Sequence, residues 1–82
     1  MDRVAVLIPA FNEEDLIADT VKAAMEMPSI EEVVVIDDGS TDETAFIAHD
    51  AGARVVQMPF NCGKGAAMNR GVFEVDADVY LP

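Results

Sequence analysis

Three short segments of this 82-residue chain combine residue types in patterns that could do chemistry. The first, Pro9-Ala10-Phe11-Asn12-Glu13, sets an aromatic ring beside a carboxylate. In the second, Asp37-Asp38-Gly39-Ser40-Thr41-Asp42, two adjacent acids precede a glycine turn. The third, Asn61-Cys62-Gly63-Lys64-Gly65, holds a cation between two glycines. Each segment joins a turn-former to polar groups just before a helical pattern. A helix start offers free backbone N–H groups and the positive end of a dipole, which suit phosphate. Lys64 is therefore read as a cation converging with backbone donors on an anion. Neighbouring side chains on a strand point to opposite faces, so Asp37 and Asp38 cannot easily share one ligand. Asp37 is assigned a structural role, bonding loop N–H groups, and Gly39 the tight turn.

Several familiar alternatives fail on spacing. The third segment lacks the Walker pattern of a P-loop. An EF-hand starting at Asp37 would need an oxygen ligand where Gly39 stands and a closing Glu at its twelfth place. His49 lies on a helical stretch with no Cys, Ser or His partner near it in sequence and is read as a surface residue. Asn69 and Arg70 are also read as surface residues, and Cys62 as an incidental small one.

Positioning these segments falls to an alternation of strands and helices. Residues 3–9 form a nearly continuous apolar run closed by Pro9, the pattern of a strand buried on both faces. Asn12 then suits a helix cap, and Leu16, Ile17, Thr20, Val21, Ala24 and Met25 recur at helical spacing before Pro28. A second strand is expected at 33–36 and a second helix from the Ser40/Glu43 capping-box pair to about Ala51, ended by Gly52. A third strand is expected at 54–58, and a third helix from Ala66 to about Val75, whose Ala66, Ala67 and Gly71 permit close packing on a sheet. A fourth strand begins at Asp78. The order βαβαβαβ implies right-handed crossovers and a parallel, Rossmann-like α/β sheet in a single unit over residues 1–82. In such sheets ligands bind at the carboxyl ends of the strands, where the three segments fall.

Composition narrows the partners. With 5 Lys+Arg against 16 Asp+Glu, a net charge of −11 and a pI near 4.1, the chain would be repelled by nucleic-acid backbones and anionic membrane surfaces. It is 51% hydrophobic with a mean hydropathy of +0.21, too apolar for an acidic disordered segment. No apolar run approaches the roughly 18 residues of a membrane span, and a single cysteine offers no internal disulfide. A cytoplasmic location is the expectation.

"VLIPAFNEE", "VVVIDDGSTDET" and "NCGKGAAMNRG", in this order and each entered from a strand, closely resemble the N-terminal half of family 2 glycosyltransferases, enzymes of the GT-A fold that use nucleotide-activated sugars. The GKG form of the third motif is most similar to the branch of dolichyl- and polyprenyl-phosphate sugar transferases. The resemblance covers essentially the whole chain. It implies that Pro9 and Phe11 wall the base and ribose, Phe11 standing where Tyr is commoner. Glu13 matches an acid that reaches the ribose; it also reads as a first-turn carboxylate on a helix dipole. Ile36 and Asp38 match residues that meet the base, where a carboxylate accepts from a ring N–H. Lys64 matches a position near the diphosphate.

The family's metal motif is Asp-x-Asp, and Asp76-Ala77-Asp78 spells it. Here, however, the acids precede an apolar run, which puts them about 13–17 Å from the ligand-binding end of a strand of four or five residues. They are rejected as the metal site. The resemblance implies Mg2+ or Mn2+ in the parent enzyme, its DxD ligands lying beyond Pro82 together with the acceptor site and catalytic base. The chain is thus expected to be the nucleotide-recognition portion of a transferase that inverts the anomeric centre, inactive alone, with a UDP- or GDP-sugar as donor and a polyprenyl phosphate or saccharide as acceptor. The parent could act at the cytoplasmic face of a membrane. The alternative is a small non-catalytic α/β module binding a nucleotide or a protein, whose exposed sheet edge favours self-association. A receiver-like domain would carry its acid pair after the first strand, where Pro9 to Asn12 stand. A nucleotidyltransferase would want a Gly-rich basic loop there.

Overall fold

The computed structural model describes residues 2–81, Leu81 by its backbone alone. Pro82, read with residues 78–81 as the beginning of a fourth strand, lies outside the described residues. Four parallel strands, β1 (Val4–Ala10), β2 (Glu32–Asp37), β3 (Arg54–Gln57) and β4 (Val79–Leu81), stand in the order β3-β2-β1-β4. They alternate with helices α1 (Ile17–Met25), α2 (Thr44–Asp50) and α3 (Lys64–Glu74).

The two inner strands explain the unbroken apolar runs, because each is covered on both faces. One face carries Val6, Ala10, Val33 and Val35 against Ile17, Val21 and Ala24 of α1 and Ala48 of α2. On the other, Ala5, Leu7, Val34 and Ile36 meet Ala67 of α3 and Val75 just beyond it. Complete burial of side chains such as Leu7 and Ile36 contributes roughly 1.5–3 kcal/mol each. Gly71 lets α3 approach the sheet: a Cβ there would sit 2.9 Å from Ile36 Cδ1 and 3.1 Å from Leu7 Cδ1. Of the small residues expected to serve this approach, Ala67 and Gly71 do so, whereas Ala66 faces solvent.

The helix starts differ from expectation, α3 beginning at Lys64 rather than Ala66. Asn12 does not cap α1; its backbone is left-handed at φ 51°, and the helix begins at Ile17, after a turn in which Leu16 and Ile17 donate to the Glu13 carbonyl. Ser40 and Glu43 do not form a capping box, because α2 starts later, at Thr44, with no side-chain cap bond from its N-cap Glu43. The polar atoms of Asn12 and Ser40 have been drawn into contacts between loops instead.

Asp76 and Asp78 stand at the amino-terminal entrance of β4. Asp78 accepts the Arg3 N–H at 2.8 Å, and Arg3 Nη2 lies 3.0 Å from Asp76. They tie the chain down at the end of the sheet opposite the three loops, as their place before the apolar run implied.

Candidate functional site

The carboxyl ends of β1 and β2 and the start of α3 enclose a cleft of about 290 Å³ lined by Pro9, Ala10, Phe11, Glu13, Asp38, Asn61, Gly63 and Lys64. A larger hollow of about 650 Å³ lies at the opposite end, around Asp2, Arg3, Val4, Ser29, Ile30 and Glu31. Its cation, Arg3, is already committed to Asp76, so size alone does not make it the better site.

Strand alternation and register place the cleft residues. Pro9 pairs with Ile36, and the direction shared by Leu7 and Ile36 toward α3 carries on to Pro9, Phe11 and Asp38. Phe11 is 44% exposed, an apolar surface open to a flat ligand. Gly63 is the N-cap of α3 at φ 99°, and Lys64 begins the helix. The backbone donors and the dipole end thus lie beside the ammonium group. Among the described residues Arg3, Arg54 and Arg70 are ion-paired, whereas Lys64 has no carboxylate partner.

The first and second segments, residues 9–13 and 37–42, are latched by reciprocal bonds. Asn12 N–H donates to Ser40 Oγ at 2.8 Å, and Thr41 N–H donates to Asn12 Oδ1 at 2.9 Å. Glu13 N–H donates to Thr44 Oγ1 at 2.8 Å, and Glu14 N–H to Asp42 Oδ2 at 3.3 Å. Thr44 gives both its hydroxyl and its N–H to Asp42 Oδ1, the latter at 3.0 Å. Desolvation pushes the Asp42 carboxyl up, but the bonds from Thr44 and Glu14 outweigh it and hold it below its ordinary value of 3.8. A depressed folded value means that the latch is complete above the unfolded value and is lost as pH falls through the folded one. In a pH titration the Thr44 and Glu14 amide shifts are therefore expected to move with a midpoint below the ordinary value; a midpoint above it would refute the latch.

Five of the six sequence-derived site residues, Pro9, Phe11, Glu13, Asp38 and Lys64, come together here. Ile36 does not join them. Its side chain is fully buried under α3 against Leu7 and Gly71, so it supports the floor and leaves no surface for a base to touch. Asp37 takes the structural role expected of it, its Oδ1 accepting the Ser40 N–H at 3.1 Å. His49, Asn69 and Arg70 are exposed, as expected, and Cys62 is exposed too. Sequence reasoning missed Asn61 and the Asp42–Thr44 pair. Asn61 is an ordinary turn residue by local signal, and its cleft position arises from a contact with Asp38, 23 residues away in sequence.

Asp38 is 4% exposed, and three N–H groups meet its carboxylate: Cys62 at 2.8 Å, Gly63 at 2.9 Å and the Asn61 side-chain amide at 3.2 Å. A carboxylate has about four acceptor positions, so one is left for a ligand. A divalent metal has no complete set of ligands here: among the described residues no three His, Cys, Asp or Glu side chains converge. Nor is any helix among the described residues long and apolar enough to cross a membrane.

Comparison with known proteins agrees with this geometry. The family model described as glycosyl transferase family 2 matches residues 5–81. Protein RfbJ of Shigella flexneri is 41% identical over 78 residues, 95% of this chain and 60% of that protein. Glucosyl-3-phosphoglycerate synthase of Mycobacterium tuberculosis (strain ATCC 25618 / H37Rv) is 33% identical over 87 residues, which cover 95% of this chain but 27% of the synthase. A crystal structure of the M. tuberculosis synthase with Mn2+, UDP and glucosyl-3-phosphoglycerate matches at a TM-score of 0.84 and 32% identity, covering 96% of this chain and 32% of that one. Another holds Mg2+ and UDP. The chain spans 60% of the Shigella relative and about a third or less of the synthase. Its parallel sheet and flanking helices are those of GT-A glycosyltransferases. The chain belongs to glycosyl transferase family 2.

Proposed function

We propose that this chain is the nucleotide-recognition portion of a transferase that takes its sugar from a UDP- or GDP-sugar. The observation that carries the reading is the meeting of Phe11, Asp38 and an unpaired Lys64 in one cleft at the start of α3. The nucleoside would lie along Pro9 and Phe11, with Glu13 toward the ribose and the remaining acceptor position of Asp38 toward a ring N–H. The diphosphate would run to Lys64 and the first N–H groups of α3. Neighbours of the same fold that hold UDP support a nucleotide as the ligand.

The parent's chemistry follows as part of the proposal. Its acceptor is a polyprenyl phosphate or a saccharide, with support from the GKG motif alone, and transfer inverts the anomeric centre. A divalent metal would serve the parent enzyme, a reading supported by the Mn2+ and Mg2+ held by neighbours of the same fold. The edge of β4 offers unpaired backbone groups through which isolated chains would self-associate.

The test is a titration of the chain with UDP and GDP in Mg2+, followed by amide shifts. Perturbations are expected at Phe11, Glu13, Asp38 and Lys64, and their absence with both nucleotides would overturn the reading. Lys64→Ala removes a charge-assisted contact and is expected to weaken binding roughly 10- to 100-fold. Unchanged affinity would remove Lys64 from the diphosphate path.

A further inference from the structure

We infer that Asp38 is a positioning residue whose buried carboxylate fastens residues 61–63 and thereby sets where Lys64 and the first turn of α3 stand. The consequence for ligand binding rests on the nucleotide reading above; the brace itself rests on geometry alone.

The three groups that donate to this carboxylate belong to consecutive residues, Asn61, Cys62 and Gly63, immediately before Lys64. The Asn61 amide also reaches the Asp38 carbonyl at 3.3 Å, so one residue of β2's exit loop grips the third loop through both side chain and backbone. Nothing local replaces that grip. The N-cap of α3 is Gly63, and the helix start has no side-chain cap bond. The third loop also lies directly on the turn after Asp38, where the space beside Gly39 is filled by the backbone of Phe60 and Asn61. The donors offset the charge of Asp38, which lets a carboxylate sit next to a path intended for phosphate.

A brace and a simple neighbouring charge make opposite predictions. Asp38→Asn deletes one negative charge near the anion path, which by Coulomb attraction alone would tighten diphosphate binding. The substitution also sets an amide NH2 against the backbone N–H donors, so at least one bond is lost whichever way the amide is turned. If Asp38 is a brace, the loop loosens, the donors of α3 disperse, and binding weakens.

Amide hydrogen exchange on the 82-residue chain tests the brace without any ligand. In Asp38→Asn the Cys62 and Gly63 amides are expected to exchange roughly tenfold faster, the loss of one charge-assisted bond, while Val34, Val35 and Ile36 keep their protection. Asn61→Ala, an exposed substitution, should speed exchange at the same two amides by a smaller factor. Unchanged exchange at both amides overturns the brace. If Asp38→Asn fails to fold, the Asn61→Ala result decides alone. With UDP and Mg2+, Asp38→Asn is expected to weaken binding roughly tenfold; loss of its contact to the base would do the same, so the double variant decides, and Lys64→Ala added to Asp38→Asn should cost little more, because the lysine has already lost its place. Tighter binding, or fully additive losses, would refute the positioning role. If the wild-type chain does not respond to UDP, the nucleotide reading fails while the exchange result still judges the brace.

Discussion

Gly39→Ala is expected to lower the stability of the chain by roughly 2–5 kcal/mol, the sum of a backbone penalty of about 1–2 kcal/mol and an overpacking penalty of about 1–3 kcal/mol. The first arises because Gly39 sits at φ 74°, where a Cβ crowds its own carbonyl. The second arises because that Cβ would lie 2.4 Å from the Phe60 carbonyl carbon and 2.5 Å from the Asn61 nitrogen. Both neighbours are backbone atoms, so no side chain can swing aside. Relief would require the third loop to lift away from β2, breaking its bonds to Asp38. The variant should therefore show two changes together: a lower urea midpoint, and shifted amide signals from Phe60 to Gly63. A stability loss under about 1 kcal/mol would show that the loop moves freely and that its close seat on Gly39 is unimportant.

Ile36→Ala is expected to cost roughly 2–5 kcal/mol, the range for truncating a fully buried branched side chain in a close-packed interior. The lost atoms are those that meet Leu7 and the bare Cα of Gly71, so the cavity would open beneath α3. For a domain whose net stability is on the order of 5–15 kcal/mol, that is a large share. This result also separates a floor residue from a ligand contact. A floor residue loses urea midpoint and leaves UDP affinity in the surviving folded fraction close to wild type. A contact residue loses affinity at nearly unchanged stability, and that outcome would restore Ile36 to the cleft.

Much of the architecture could be read from the sequence because it depends on local periodicity. The β-branched run from Val33 to Ile36 needs two covered faces, and the spacing of Ile17, Val21 and Ala24 needs one. The cleft was legible for the same reason, since strand ends in a parallel sheet collect the loops that follow them. The helix starts were not. Asn12 and Ser40 are good caps by type, but their oxygen atoms take N–H groups from residues 29 and 28 positions away. A cap rule considers only the next few residues and has no access to such partners. Asp38 shows the same limit: acceptor capacity that looked free for a base is mostly taken by Asn61, Cys62 and Gly63. Ile36 shows a different limit. Alternation assigned its face correctly, but only the closeness of α3 at Gly71 reveals that this face is sealed at that point.

The position of β1 between β2 and β4 has a consequence for how the chain acquires its structure. Val6 pairs with Val33, 27 residues later, and with Leu81, 75 residues later. The longer closure adds only about 0.9 kcal/mol of entropy by the logarithmic rule, so it hardly affects equilibrium. Its effect is on order in time. On a growing polypeptide, β1 keeps one side of its backbone unpaired until nearly all the described residues after it exist, and non-local pairings of this kind slow the search for the native state. Of the four described strands, the earliest made is among the last to be completed.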